Sequence, residues 1–176
     1  MTNHPGPFEG VGVYFTSELH DVTSAGRLSP AGLVSALADL LGYQQHIIEG
    51  ADGTVEQFIG DCIVAFWAPS DLKVVLPRVT EAAQRIVSRK PPVDGLQYRI
   101  SIRFSAAELI GAFFGPPTAS RFQVIGRARS RAEALPRGTR GTDCVMTDGH
   151  TVEAMPPELQ CMFTPHALGH RLVVRS

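Results

Sequence analysis

Two apolar runs, TVEQFI and DCIVAFW, meet at Gly60-Asp61 with only a turn's worth of chain between them. A glycine followed by an acid between alternating apolar segments is hairpin chemistry, so the pair predicts two antiparallel strands. An isolated hairpin is at best marginally stable in water, so the flanking segments must supply the rest of the layer. Upstream, VGVYF (Val11 to Phe15) reads as a buried strand. Ser29 before Pro30 then signals a helix entry, a side chain able to cap followed by a proline in the first turn. Leu33, Leu37, Leu40, Leu41, Ile47 and Ile48 recur at helical spacing up to about Glu49, where ADGT closes the helix.

Downstream of the hairpin, Val75, Val79, Ala82, Ala83, Ile86 and Val87 form a second helical stripe between Asp71 and Lys90. Pro91-Pro92 stops it, and Pro77 is placed to split or kink it. LQYRISIRF (Leu96 to Phe104) alternates as a strand, and ELIGAFFG reads as another. The order β, α, β, β, α, β is the split βαβ arrangement, giving an α+β fold with a ferredoxin-like core. A C-terminal β/α extension follows: a loop around Pro116-Pro117, a short strand near Phe122 to Ile125, a helix near Arg127 to Leu135, and an alternating tail ending RLVVRS.

With 176 residues and 44% apolar content, the chain is expected to be a loose Pro/Gly-rich arm over residues 1–10 and one domain over residues 11–176. Its formal charge of −1 gives no global attraction to nucleic acid, so any polyanion site is a local patch. Cys62, Cys144 and Cys161 are an odd number without metal-ligand spacing, and the first ten residues lack the apolar core of a signal peptide, so a reduced, cytoplasmic setting is expected. No apolar run approaches the roughly 20 residues of a membrane helix.

In the split βαβ topology the first strand lies beside the second strand of the hairpin. Asp61 then falls near the chain just after Phe15, which reads TSELHD. A second acid there would give a carboxylate pair suited to holding divalent ions against a triphosphate.

At this point VYFTSELHDVTS, the RLSPAGL phrase and above all GTVEQFIGDCIVAFWAP resemble the class III adenylate and guanylate cyclases, over roughly Val11 to Leu135. The resemblance implies that Asp61 is a metal-binding carboxylate for Mg²⁺ or Mn²⁺. The first metal position falls on Ser17 when the comparison is anchored on Phe15, and on Glu18 when it is anchored on Thr23, with Asp21 a third candidate. Gln57 stands where the family has a purine-reading Lys, and with Gly60, Arg121 and Arg127 it makes up the implied nucleotide-binding set.

SRFQVIGRARSRAEAL aligns through Val124 to Gly126 with the family phrase that carries the remaining catalytic groups. Arg121 then replaces the base-reading acid, Arg127 the acid after the glycine, Ser130 the ribose-orienting Asn, and Ala134 the phosphate-stabilising Arg. Losing one such contact costs a factor of roughly 10² to 10³. Arg131, about one helical turn before Ala134, is the candidate substitute. Arg121, Arg127, Arg129, Arg131, Arg137 and Arg140 make this segment basic, a place for a phosphate-rich ligand or an acidic partner.

Family sites form between two domains, which implies a homodimer or a heterodimer with another cyclase domain. The sequence therefore reads as a cyclase-like domain, catalytically degenerate, acting in nucleotide binding or regulation through dimerisation. The alternatives are an active cyclase of atypical base preference and a half-site partner. His166 and His170, four apart without an intervening acid, read as solvated; Cys62 reads as core, and Trp67, Phe113 and Phe114 as core or subunit-contact residues.

Overall fold

The computed structural model describes residues 6–23, 28–94, 96–138 and 142–173. The first strand, β1, runs Phe8–Thr23 and is followed by α1 (Pro30–Gly50), β2 (Thr54–Ile59), β3 (Cys62–Trp67), α2 (Leu72–Ser88) and β4 (Gln97–Phe114). These strands lie in the order β2-β3-β1-β4, with every adjacent pair antiparallel, which is the ferredoxin-like core expected from the sequence. The extension adds β5 (Arg121–Gly126), α3 (Arg127–Ala134), β6 (Cys144–Thr147), α4 (Gly149–Glu153), α5 (Pro157–Gln160), β7 (Phe163–His166) and β8 (Gly169–Leu172). Strands β6, β8 and β7 continue the sheet beyond β4, while β5 folds back on the other end of β4.

Local chemistry sets the helix starts. The Ser29 hydroxyl accepts from Gly32 N at 3.1 Å, and the Asp71 carboxylate accepts from Lys73 N at 2.9 Å. Helix α2 continues through Pro77 without splitting, because a proline six residues into the helix removes a single ladder bond near its start. Both helices pack on one sheet face, where Leu40, Ile48, Leu76, Val79 and Ile86 meet Val13, Phe15, Ile63, Ile102 and Phe104 in one apolar core. Of the six apolar residues expected on the α1 stripe, Leu40, Ile47 and Ile48 are fully buried, whereas Leu33, Leu37 and Leu41 pack at its margin.

Three expectations are corrected. Phe8–Gly10 is the start of β1 rather than loose arm: the Phe8 ring packs 5.4 Å from Phe66 and 6.1 Å from Phe122. The strand expected over Val11 to Phe15 extends to Thr23, since it pairs β3 on one side and β4 on the other. LQYRISIRF and ELIGAFFG are one 18-residue strand, because the small pair Ala106-Ala107 between them continues the alternation instead of breaking it. Residues 1–5 of the expected arm, Arg140 and the last three residues of the tail lie outside the described residues.

Candidate functional site

The turn that joins β2 to β3 is a two-residue loop with Gly60 at φ +62°, a conformation that favours glycine, followed by Asp61. Strand β1 runs alongside: Leu19 N donates to Asp61 O at 3.2 Å, and Glu18 lies across from Cys62. The chain after Phe15 thus reaches Asp61, as the topology required.

Strand alternation decides between the candidates for the second acid. Ser17 is fully buried on the face covered by α1 and α2, where its hydroxyl bonds Gln44 Oε1 at 2.5 Å. Glu18 points to the opposite face with Thr16, Cys62, Val64 and the diagonal neighbour Arg103. Ser17 is therefore removed from the site. The Asp21 side chain lies outside the described residues.

Glu18 already has cationic partners. Arg137 Nη1 donates to Glu18 Oε1 at 2.9 Å, and Arg103 Nη2 stands 3.6 Å from Glu18 Oε2. Arg103 is only 6% exposed, and its Nε is buried without a hydrogen-bond partner. Burial, with the Glu18 carboxylate next, pushes the neighbouring Cys62 thiol up to about 11, and Asp61 acts on it in the same direction while both arginines oppose them. Glu18, Asp61, Cys62, Arg103 and Arg137 thus form one electrostatic group.

Its donor set does not fit the Mg²⁺ or Mn²⁺ pair that the resemblance implies. Two carboxylates balanced by two guanidiniums offer a dication no net charge, and one of those guanidiniums is locked into the sheet. Among the described residues no group of three or more His, Cys, Asp or Glu is arranged to hold a metal ion.

The other expected site residues lie along β2, β5 and α3. Gln57 is exposed on β2, paired with Val64 of β3. Arg121 is exposed at the start of β5, opposite Phe114. Arg127 stands 3.6 Å from Glu108, and Arg129 stands 2.9 Å from Glu133, so much of the basic segment is answered by acids of β4 and α3. Ser130 bonds back to Gly126 O at 3.3 Å, Arg131 is half-buried, and Ala134 is exposed. Gly126 enters α3 at φ +131° with the Glu108 carbonyl 2.4 Å from where a Cβ would sit, which fixes why the turn before the helix is a glycine.

Trp67 is core, its Nε1 donating to Ala51 O at 2.7 Å, whereas Phe113 is 58% exposed. His166 and His170 belong to the two strands of the β7–β8 hairpin, at neighbouring pair positions. Sequence reading missed two residues on the face opposite the long helices, and it placed Arg137 only in the basic segment, not beside Glu18. Arg103 is signalled only by its odd position in RISIRF, between inward Ile102 and Phe104. Glu56 is the bulge residue of β2, buried, with Oε1 accepting from Val124 N at 3.0 Å.

No protein-family profile matches the chain, and no curated protein matches it. Solved structures do. The catalytic core of a rhodopsin-guanylyl cyclase with converted specificity, in complex with ATPαS, is similar at TM-score 0.74 and 14% identity over 98% of this chain and 100% of that one. A dimeric guanylyl cyclase domain of the RhoGC fusion protein from the aquatic fungus Blastocladiella emersonii gives TM-score 0.69 and 13% identity over 100% and 99%. A class III adenylyl cyclase-like ATP-binding protein from Pseudomonas aeruginosa gives TM-score 0.67 and 14% identity over 89% of this chain and 37% of that one. Among the described residues no helix is long and apolar enough to cross a membrane. The sheet order and these neighbours together give one result: the chain has the fold of the class III nucleotide cyclase catalytic domains.

Proposed function

We propose that this domain is a lapsed cyclase that binds a nucleotide or related phosphate and acts through dimerisation rather than turnover. The observation that carries the reading is the pairing of Glu18 with Arg103 and Arg137, which engages the acid beside Asp61 in ion pairs. Ala134 supports it from the other half of the site, since it cannot bring positive charge to a phosphate in the transition state, and Ser130 stands where the family has its ribose-orienting Asn. Arg131 does not restore that charge by position alone: it is half-buried on α3, one turn before Ala134. A solved neighbour described as a cyclase-like ATP-binding protein is a precedent for the fold serving binding, and a dimeric neighbour is a precedent for pairing.

The test is product formation from ATP, GTP, CTP and UTP in excess Mn²⁺, with cyclic products identified by mass spectrometry. No product is expected from any of the four. A cyclic product that vanishes in Asp61→Ala would establish the active-enzyme alternative. A product that appears only on mixing with a second cyclase domain would make the chain a half-site donor.

A further inference from the structure

Helix α1 is poor in charge on the side that meets water as well as on the side that meets the sheet. Its inward residues Ala36, Leu40, Gln44, Ile47 and Ile48 are buried. The opposite side presents Ala31, Ser35, Ala38 and Gly42, with Val34 beside them 67% exposed, and Pro30–Gly50 contains no lysine or arginine. A surface helix ordinarily turns charged residues to solvent, so one that does not has a second surface to pack against. Gly42 makes the same point from the backbone. It is exposed in mid-helix with nothing within 4 Å of where a Cβ would sit, so no contact inside the chain requires a residue that weakens the helix.

Asp39 and His46 say what that second surface is. Both are exposed and flank Gly42, and seven residues is just under two turns, so they lie on the same edge of the outward side. Among the described residues neither makes an ion pair or a side-chain hydrogen bond, and at about 10 Å apart along the axis they cannot answer each other. Glu49, the other acid of the helix, already accepts from Gln45 Nε2 at 2.7 Å. A twofold axis at Gly42 resolves the pair. An antiparallel copy keeps each edge of the helix on its own side of the contact, so Asp39 of one copy meets His46 of the other twice, while the two glycines let the backbones approach. Ser35 then falls opposite Glu49, whose carboxylate is able to accept from the hydroxyl. A parallel copy would hold the same edges apart, and a partner of a single charge sign would meet one of the two groups with repulsion.

We propose that the outward side of α1 is a self-association surface, on which a second copy of this chain lies antiparallel with the two Gly42 residues at the crossing. The surface is on the sheet face opposite the one to which Glu18 points, so the inference goes beyond the binding role proposed above and does not rest on it. One helix crossing buries less than the roughly 1,600 Å² of a standard interface, which makes the association reversible and dependent on concentration.

Sedimentation velocity of the full chain at low ionic strength, over a concentration series, tests it. The parent is expected to double its mass reversibly. His46→Glu sets acid against acid at both contacts and is expected to weaken association about tenfold, and Asp39→Lys, which removes both attractions, several-fold. The double variant Asp39→Lys/His46→Glu exchanges the two roles and is expected to recover the parent's association. All of these side chains are exposed, so the fold of each copy is unaffected. Should the chain also pair through another face, the same changes remove one doubling from a larger species. Under mild oxidation Gly42→Cys is expected to yield a disulfide linking position 42 of two copies, identified by peptide mass spectrometry and so distinguished from the exposed native Cys161. Val34→Cys, two turns from the crossing, is not expected to link to itself. A parent that shows no concentration-dependent doubling, association unchanged in both single charge variants, a double variant as weak as the singles, or self-linkage as ready at position 34 as at 42 would overturn the proposal. A cyclic product in the nucleotide assay would bear on turnover alone and leave this contact standing.

Discussion

On the sheet face covered by α1 and α2, Val13, Phe15, Ile100, Ile102 and Phe104 are each 1% exposed or less and belong to one large apolar core. The same strands turned over present Thr16, Glu18, Ser101 and Arg103, and the apolar residues of that side form a smaller cluster under α3 around Tyr14, Phe66, Phe122 and Val124. One face spends its side chains on packing, the other on charge. The contrast explains how a fold can persist while its site changes. Packing depends on volume and alternation, which many sequences satisfy, whereas a phosphate site depends on the identity of a few exposed groups.

The comparison breaks first at Phe104, fully buried at the centre of the packed face with its ring 6.3 Å from Phe163 in an edge-on contact. Phe104→Ala is expected to cost about 3–5 kcal/mol, measured by urea denaturation, because the surrounding strands and helices cannot close over the void. An Arg137→Gln chain measured in the same way is expected to lose less than about 1 kcal/mol, as for other exposed ion pairs. If the two losses were alike, the division of labour between the faces would be wrong.

That division also sets what the sequence could disclose. The hairpin at Gly60-Asp61, the Ser29-Pro30 and Asp71 helix starts and the period of the apolar stripes all act within a few residues, and the topology followed from their order. The acid-to-arginine pairing did not follow: Arg137 meets Glu18 across 119 residues, and nothing near either of them marks the partner. Ser17 and Glu18 stayed ambiguous because a one-residue shift moves a strand residue to the other face, and only the β1–β3 register resolves it. Strand β6 and helices α4 and α5 were hidden for a related reason. They are four or five residues long, too short to show a period.

Glu56 sharpens the comparison with a smaller effect, because it is a carboxylate on the charged face that nevertheless sits buried. Burial pushes its pKa up, against the Val124 N–H and Arg129, which favour the anion, and with Glu133, which opposes it. A carboxyl whose folded pKa is raised keeps its proton longer in the native chain than in the unfolded one. Its contribution to stability is therefore fully present below the ordinary carboxylate range and is lost as pH rises through the folded value. Glu56→Gln keeps the carbonyl that accepts from Val124 N and removes the charge. It is expected to be more stable than the parent by about 1 kcal/mol at pH 7, with the gap closing on acidification. A gap independent of pH would show that the carboxylate is not the cause.

The smallest expected effect reads the electrostatics beside Asp61 directly. Cys62 and Cys161 are both free, but Cys161 is exposed, whereas Cys62 is half-buried with its thiol pushed up to about 11 by burial and by Glu18. Alkylation requires the thiolate, so iodoacetamide at pH 8 is expected to label Cys161 first and Cys62 slowly, followed by peptide mass spectrometry. Glu18→Gln removes one of the two carboxylates that disfavour the Cys62 thiolate while Arg103 and Arg137 stay, so Cys62 labelling is expected to accelerate and Cys161 labelling to stay the same. If the Cys62 rate did not change, access rather than charge would limit it. The charged face would then differ from the packed one in composition without differing in the field that it presents to a ligand.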